Sequence, residues 1–158
     1  DGCMHIVLIE PEIPSNTGNI VRTCAATGTV LHLVGLLGFS LKDKYLKRAG
    51  LDYWDLATVC RHRTFEELKE EYPESNFYFT SKKARKFYTE VEYKKDDFIV
   101  FGKETEGLPE ELLRENWDNV LKIPKIKEAR SLNLSNAVAI VLYEALRQQG
   151  FNLGIVLE

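Results

Sequence analysis

Short apolar runs alternate with helix-like segments from one end of the chain to the other, and this alternation restricts the fold more than any other feature. "HIVLIE" (5–10), "VLHLVG" (30–35), "ATVCRH" (57–62), "FYFTS" (77–81), "DFIVFG" (97–102) and "NVLKIP" (119–124) have the length and apolar content of buried strands. Between them, "NTGNIVRTCAATG" (16–28) reads as a helix stopped by Gly28. Residues 41–49 read as a short basic helix, and Thr64 with Glu67 forms a capping box that opens a helix to about Tyr72. A further helix falls near 109–116, and a last one runs from near Asn133 to just before Gly150. Strands that alternate with helices become parallel neighbours, because a parallel pair needs a crossover connection. The expected fold class is therefore α/β, with a mostly parallel sheet flanked by helices.

The 158 residues and 44% hydrophobic content suffice for one domain with its own core. No repeat or Pro/Gly-rich linker divides it, so a single domain over 4–158 is expected. Asp1-Gly2-Cys3 ahead of Met4 reads as an appended remnant and is left out of that expectation. No apolar run approaches the ~20 residues of a membrane span, and no signal peptide precedes the first strand. Cys3, Cys24 and Cys60 are odd in number and widely spaced, which argues against a disulfide framework or a zinc site and for a reducing cytoplasm. His5, His32 and His62 are isolated in sequence and read as packing or surface residues, so no metal is expected.

A formal charge of −3 supplies no global field for nucleic acid. Local clusters do exist: Lys42, Lys44, Lys47 and Arg48; Lys82, Lys83, Arg85 and Lys86; Lys122, Lys125, Lys127 and Arg130. Each taken alone reads as a solvated face balanced by acids such as Glu66, Glu67, Glu70 and Glu71.

Ligands of open α/β sheets lie beyond the carboxyl ends of the strands, which directs attention to three loops. After the first strand, Ser15 or Asn16 is placed to cap a helix on which Asn16, Asn19 and Arg22, spaced by three, share a face. Amides beside a permanent cation suit ribose hydroxyls and phosphate, although a capped surface helix with an exposed arginine has the same pattern. After "DFIVFG", Gly102 and Gly107 bracket a turn holding Glu104, which would cap the next helix or pair with a cation such as Arg22. The turn has neither Walker spacing nor G-x-G-x-x-G. The third loop, "RSLNLSN" (130–136), carries more polar groups than one helix start can use: Ser131, Asn133, Ser135 and Asn136 cannot all cap, and Arg130 lies within reach of a phosphate.

These three loops, in this order, resemble the motifs of the SPOUT superfamily of RNA methyltransferases, and most closely its tRNA wobble-nucleotide 2′-O-methyltransferase subgroup, the TrmL type. The motifs are "PEIPSNTGNIVRTCAATG", "FGKETEGLP" and "IPKIKEARSLNLSNAVAIVLYEA"; "GFSLKDKYLKRAGLDYWD" also resembles that subgroup's intervening segment. The likeness runs from Met4 to about Gly150. It implies a C-terminal deep trefoil knot, a homodimer whose sites are completed between subunits, S-adenosyl-L-methionine as cofactor (released as S-adenosyl-L-homocysteine), and tRNA bound through its anticodon stem-loop. The implied reaction methylates the 2′-hydroxyl of cytidine or modified uridine at position 34, with leucine isoacceptors as the implied substrates. Carried over by motif position, Thr80, Gly102, Ile123, Ser131, Leu132 and Asn133 would surround the cofactor. Arg22, Asn16, Glu104, Ser131, Asn133 and Tyr143 would serve catalysis or RNA contact.

Arg22 makes an awkward general base, because guanidinium stays protonated in proteins. Binding the adjoining phosphate or polarising the nucleophile is the more physical role. In a dimer the three basic clusters would line one continuous groove. Methylation of another tRNA or rRNA nucleotide is one alternative, and a non-catalytic RNA-binding dimer is the other. Loss of Ser131 or Asn133 should lower methylation more than stability, whereas a pure cap would show the reverse.

Overall fold

The strand-like runs become strands, and each parallel pairing is bridged by a crossover. The computed structural model describes residues 2–50 and 55–153. In chain order its elements are β1 (His5–Ile9), α1 (Pro14–Thr27), β2 (Val30–Val34), α2 (Lys44–Gly50), β3 (Thr58–His62), α3 (Phe65–Glu71) and β4 (Phe77–Thr80). They continue as β5 (Lys86–Phe87), β6 (Phe98–Phe101), α4 (Glu110–Glu115), β7 (Val120–Lys122) and α5 (Leu134–Gln148), with a short 3-10 turn at Trp117–Asn119 before β7. Residues 51–54 of the segment between the first two motifs, and residues 154–158 of the expected domain, lie outside the described residues.

The strands form one sheet in the order β3-β2-β1-β6-β4-β7-β5, and every pairing between named strands is parallel. His5 sits opposite Val30 on one side and Phe98 on the other, which places β1 between β2 and β6 near the middle of the sheet. The α/β expectation holds. One strand escaped it: β5 is two residues long, lies inside a basic cluster and has no apolar run to announce it.

Both faces of the sheet are covered, so the central strands are buried on both sides and, His5 and His32 apart, apolar rather than alternating. On one face Ile6, Leu8, Leu31, Leu33 and Ile99 pack with Ile20, Val21 and Cys24 of α1 and with Val138, Val141, Leu142 and Ala145 of α5. On the other, Val7, Val34, Phe79, Phe98 and Val100 pack with Phe65 and Leu68 of α3 and Leu113 of α4. Ile6, Leu8, Leu31, Leu33 and Ile99 are fully buried, and each such side chain contributes roughly 1.5–3 kcal/mol. No helix among the described residues is long and apolar enough to cross a membrane.

The helix ends correct two expectations. α1 starts earlier than its polar residues indicate: Pro14 opens it, Ile13 occupies the cap position without a side-chain bond, and Ser15 and Asn16 lie inside the first turn. Proline at the first helical position has the required φ and no N–H to leave unpaired. The other end matches expectation, with Gly28 at φ 65° and Thr29 N–H returned to Cys24 O at 2.9 Å. In α3, Thr64 Oγ1 accepts from Glu67 N at 3.1 Å, but Glu67 turns its carboxylate to Arg63 Nη2 at 2.7 Å instead of closing the reciprocal half of the box.

Candidate active site

The loops that follow β1, β4, β6 and β7 converge at the carboxyl end of the sheet and enclose a cleft of about 400 Å³, inside the ~300–1,000 Å³ range of small-molecule sites. Thr80, Gly102, Glu104, Ile123, Ser131, Leu132 and Asn133 all line it, together with Asn16. Two predicted residues do not. Arg22 is exposed on α1 and Tyr143 is exposed on α5, and neither contributes to the cleft wall of this subunit.

The three loops are joined by hydrogen bonds between residues far apart in sequence. Asn133 Nδ2 donates to Asn16 Oδ1 at 3.0 Å, and Asn16 Nδ2 donates to Glu104 Oε2 at 3.1 Å. Glu104 also accepts from the main-chain N–H of Glu12 at 2.8 Å and of Ile13 at 2.9 Å. Glu104 thus holds the main chain just ahead of α1, the earlier helix, rather than capping α4. This corrects the reading of Glu104 as a cap of the helix that follows its turn. A carboxylate at a helix N-terminus also meets the positive end of the helix dipole.

The clasp is reciprocal. Glu12 Oε1 accepts from Thr105 N at 3.0 Å and from Thr105 Oγ1 at 2.8 Å, and these bonds hold the Glu12 carboxyl below the usual carboxylate range. Lys103 Nζ lies 3.5 Å from Glu10 Oε1 and 3.8 Å from Glu106 Oε2, so charge of both signs rims this side. Glu12 and Thr105 were not anticipated as site residues; their only sequence signal is that they sit inside the first and second motifs.

Asn133 does two jobs at once. Its Oδ1 accepts from Ser135 N at 2.9 Å and Asn136 N at 3.4 Å, which makes it the N-cap of α5, while its Nδ2 reaches Asn16. The separation of cap from site residue made on sequence grounds therefore fails for Asn133. Ser131 is exposed on the cleft rim.

Thr80, which lines the cleft, donates from Oγ1 to Val100 O at 2.9 Å, so that side chain braces the sheet. At Gly102 an added Cβ would fall 2.1 Å from Gly107 C and 2.3 Å from Leu108 N. Only glycine allows that approach, and the resulting turn closes through a bridge between Lys103 and Gly107. Lys82, Lys83, Lys122 and Lys125 stand around the rim, drawing on two of the three basic clusters. Lys83 is paired with Glu110, and Lys125 Nζ is bonded to Ala129 O at 2.8 Å.

Known proteins are similar to this chain in sequence and in fold. A tRNA (cytidine(34)-2′-O)-methyltransferase from Saccharophagus degradans is 51% identical over 149 residues, covering 93% of this chain and 96% of its own. The structure from work on 2-OH methylation of C/U34 on tRNA superimposes with a TM-score of 0.89 at 41% identity, covering 94% of this chain and 97% of that one. An AdoMet-bound rRNA methyltransferase from Sinorhizobium meliloti superimposes at 0.83 with 28% identity, covering 93% of this chain and 57% of that one. Residues 3–143, which include all three motif loops, match the model of the SpoU rRNA methylase family, and the chain belongs to that family.

Proposed function

We propose that this protein transfers a methyl group from S-adenosyl-L-methionine to the ribose 2′-hydroxyl of nucleotide 34 in tRNA, acting in the cytoplasm as a homodimer on the anticodon stem-loop. The observation that carries the reading is the Asn133–Asn16–Glu104 bridge, which unites all three motif loops at the edge of one cleft. The names of the relatives, at this identity and coverage, supply the substrate class.

The residues present fit the cofactor. Main chain at Thr80, Gly102 and Ile123, which line the cleft, would supply donors and acceptors to an adenine edge, with the Thr80 hydroxyl already committed to Val100 O. When bound, the sulfonium supplies an activated methyl group. The protein then has to place one oxygen in line with that methyl, and positioning of this kind is worth several kcal/mol of barrier. Ser131 and Asn133 lie where they can orient cofactor and nucleotide, while Glu104 and Asn16 hold the loops that carry them. The C-terminal segment from β7 through the 123–133 loop to α5 would form the family's knot.

Arg22 and Tyr143 find a place in this scheme through a second copy. They project from α1 and α5 of one subunit, where Ile140, Tyr143 and Leu132 remain 37%, 44% and 44% exposed, a surface that a partner would cover. Arg22 from that partner would bind the phosphate beside the target ribose or polarise its hydroxyl, because a guanidinium that stays protonated cannot accept the proton.

Incubation with labelled S-adenosyl-L-methionine and tRNA transcripts, followed by mapping of the methylated nucleotide, tests the reading. Label at the 2′-hydroxyl of nucleotide 34 supports it; label at another tRNA or rRNA position replaces the substrate; cofactor binding with no transfer to any RNA refutes catalysis.

A further inference from the structure

Three histidines isolated in sequence form a continuous hydrogen-bonded row that runs diagonally across β1, β2 and β3, from His5 at the amino end of β1, away from the cleft, to His62 at the carboxyl end of β3. His5 Nδ1 lies 2.9 Å from His32 Nε2, His32 Nδ1 lies 2.9 Å from His62 Nε2, and His62 Nδ1 lies 3.0 Å from Glu71 Oε2. His5 and His32 are buried, and the His5 ring stacks on Phe98 with centroids 4.1 Å apart while Tyr72 packs on His5 and edge-on to His32. The reading of these residues as packing groups was correct for their place and missed their connection.

The row's three contacts need three hydrogens, and three neutral imidazoles carry three. With a metal on His5 Nε2 the row has one consistent direction: His5 donates from Nδ1 to His32, His32 from Nδ1 to His62, and His62 from Nδ1 to the Glu71 carboxylate, which can only accept. That direction leaves one lone pair for the metal, on His5 Nε2. It faces Asp96 Oδ1 at 3.7 Å, and the Cys3 thiol completes a group whose ligand atoms all lie within 4.8 Å of one another.

Two further features hold that group together. Asp96 N donates to Cys3 O at 2.9 Å, which ties the two outer ligands by main chain. Asp96 itself sits at φ 69°, a left-handed conformation that non-glycine residues seldom occupy and that surrounding structure must enforce. A tetrahedral ion with bonds of about 2.0–2.3 Å sets its ligand atoms roughly 3.3–3.8 Å apart, so the His5–Asp96 spacing already fits and Cys3 has to move by about 1 Å at most.

We propose that Cys3, which the family match includes although the sequence reading set it apart with residues 1–2, forms a zinc site with His5 and Asp96, with His5 Nε2, the Cys3 thiolate and an Asp96 oxygen as ligands and water in the fourth position. The mixed sulfur, nitrogen and oxygen set is the chemistry of a borderline-soft divalent ion. The histidine row is its outer support, since a metal-bound imidazole donates its other N–H to a fixed partner, here His32 and ultimately Glu71. Zinc would take the thiol proton into solution on binding. Its work is structural: it clips residue 3 to the loop before β6, away from the methyl-transfer cleft.

The test is titration of chelator-stripped protein with zinc against a chromophoric chelator, with cobalt substitution as a spectroscopic arm. Wild type should bind one zinc per chain, melt at higher temperature with it, and show a thiolate-to-cobalt charge-transfer band. Cys3→Ser and Asp96→Asn should each weaken zinc at least tenfold and lose the thermal gain, with methyl transfer unchanged, whereas Cys60→Ser should keep both. Equal zinc affinity in wild type and Cys3→Ser, absence of stoichiometric binding, or a cobalt spectrum without the band would overturn the site and leave a proton at His5 Nε2.

Discussion

Replacing Glu104 by glutamine changes one atom and should disturb all three loops. The carboxylate accepts three bonds, two on Oε2 and one on Oε1. Glutamine keeps one accepting oxygen and turns its NH₂ toward a donor, either the Glu12 N–H or the Ile13 N–H and Asn16 amide pair. Asn16 can relieve the second conflict only by flipping its own amide, which then presents Nδ2 to the donating Nδ2 of Asn133. The conflict cannot be dissipated locally. It is either left at the start of α1 or passed to the cap of α5.

Bonds to a charged acceptor are worth about 1.5–3 kcal/mol and neutral ones about 0.5–1.5, and this site is partly solvated, so Glu104→Gln should cost about 2 kcal/mol. For a chain of this size that lowers the melting temperature by roughly 4–8 °C. Asn16→Ala removes the group that clashes, so the double variant should be less destabilised than the sum, with a coupling of about 1 kcal/mol. Thermal and urea unfolding of the two single variants, the double variant and wild type measure it. Additivity within about 0.3 kcal/mol would refute the shared network, whatever happened to activity.

Gly102→Ala should abolish cofactor binding and cost about 1–3 kcal/mol, because the new methyl meets main chain that has no room to yield, as calorimetry with S-adenosyl-L-methionine would register. Mixed dimers of Arg22→Ala with Asn133→Ala subunits should recover about half of one wild-type dimer's sites if Arg22 serves the partner's cleft, and none if it serves its own. Asn133→Ala should lose about 1 kcal/mol as well as activity, since it removes a cap, whereas Ser131→Ala should leave unfolding unchanged and lower activity alone. Burial pushes the Cys24 thiol up to about 12 from 9.0. The unfolded chain therefore sheds that proton first, and stability declines as pH rises from about 9 toward 12 by up to ~1.4 kcal/mol per unit from this group. Unfolding of Cys24→Ala followed from pH 8 to 11 should show a shallower alkaline slope by about one proton.

Much of the fold is legible because its cause is local. The apolar runs of β1, β2, β4, β6 and β7, the stop at Gly28 and the Thr64 cap each depend on residues within one turn or strand. β5 is invisible for the same reason: Lys86 and Phe87 are a strand only because β7 is beside them. The cleft residues were legible as polar surplus in loops and, more sharply, by likeness to a family. Their partners were not. Glu104 reaches across 88 residues to Asn16, and Asn133 across 117, distances at which spacing carries no information. The histidines show the limit most clearly, since His5, His32 and His62 become neighbours only through the register of three parallel strands.

The divided amide of Asn133 has a kinetic meaning. Its oxygen belongs to the first turn of α5 and its nitrogen to the first turn of α1, so the two helices cannot part at the cleft mouth without straining the end of α5. Breathing of the cleft and fraying of that helix become one event. The amide hydrogens of Ser135 and Asn136 would then act as a clock for opening, exchanging with solvent at the rate at which the mouth unlatches and slowing when a ligand holds it shut.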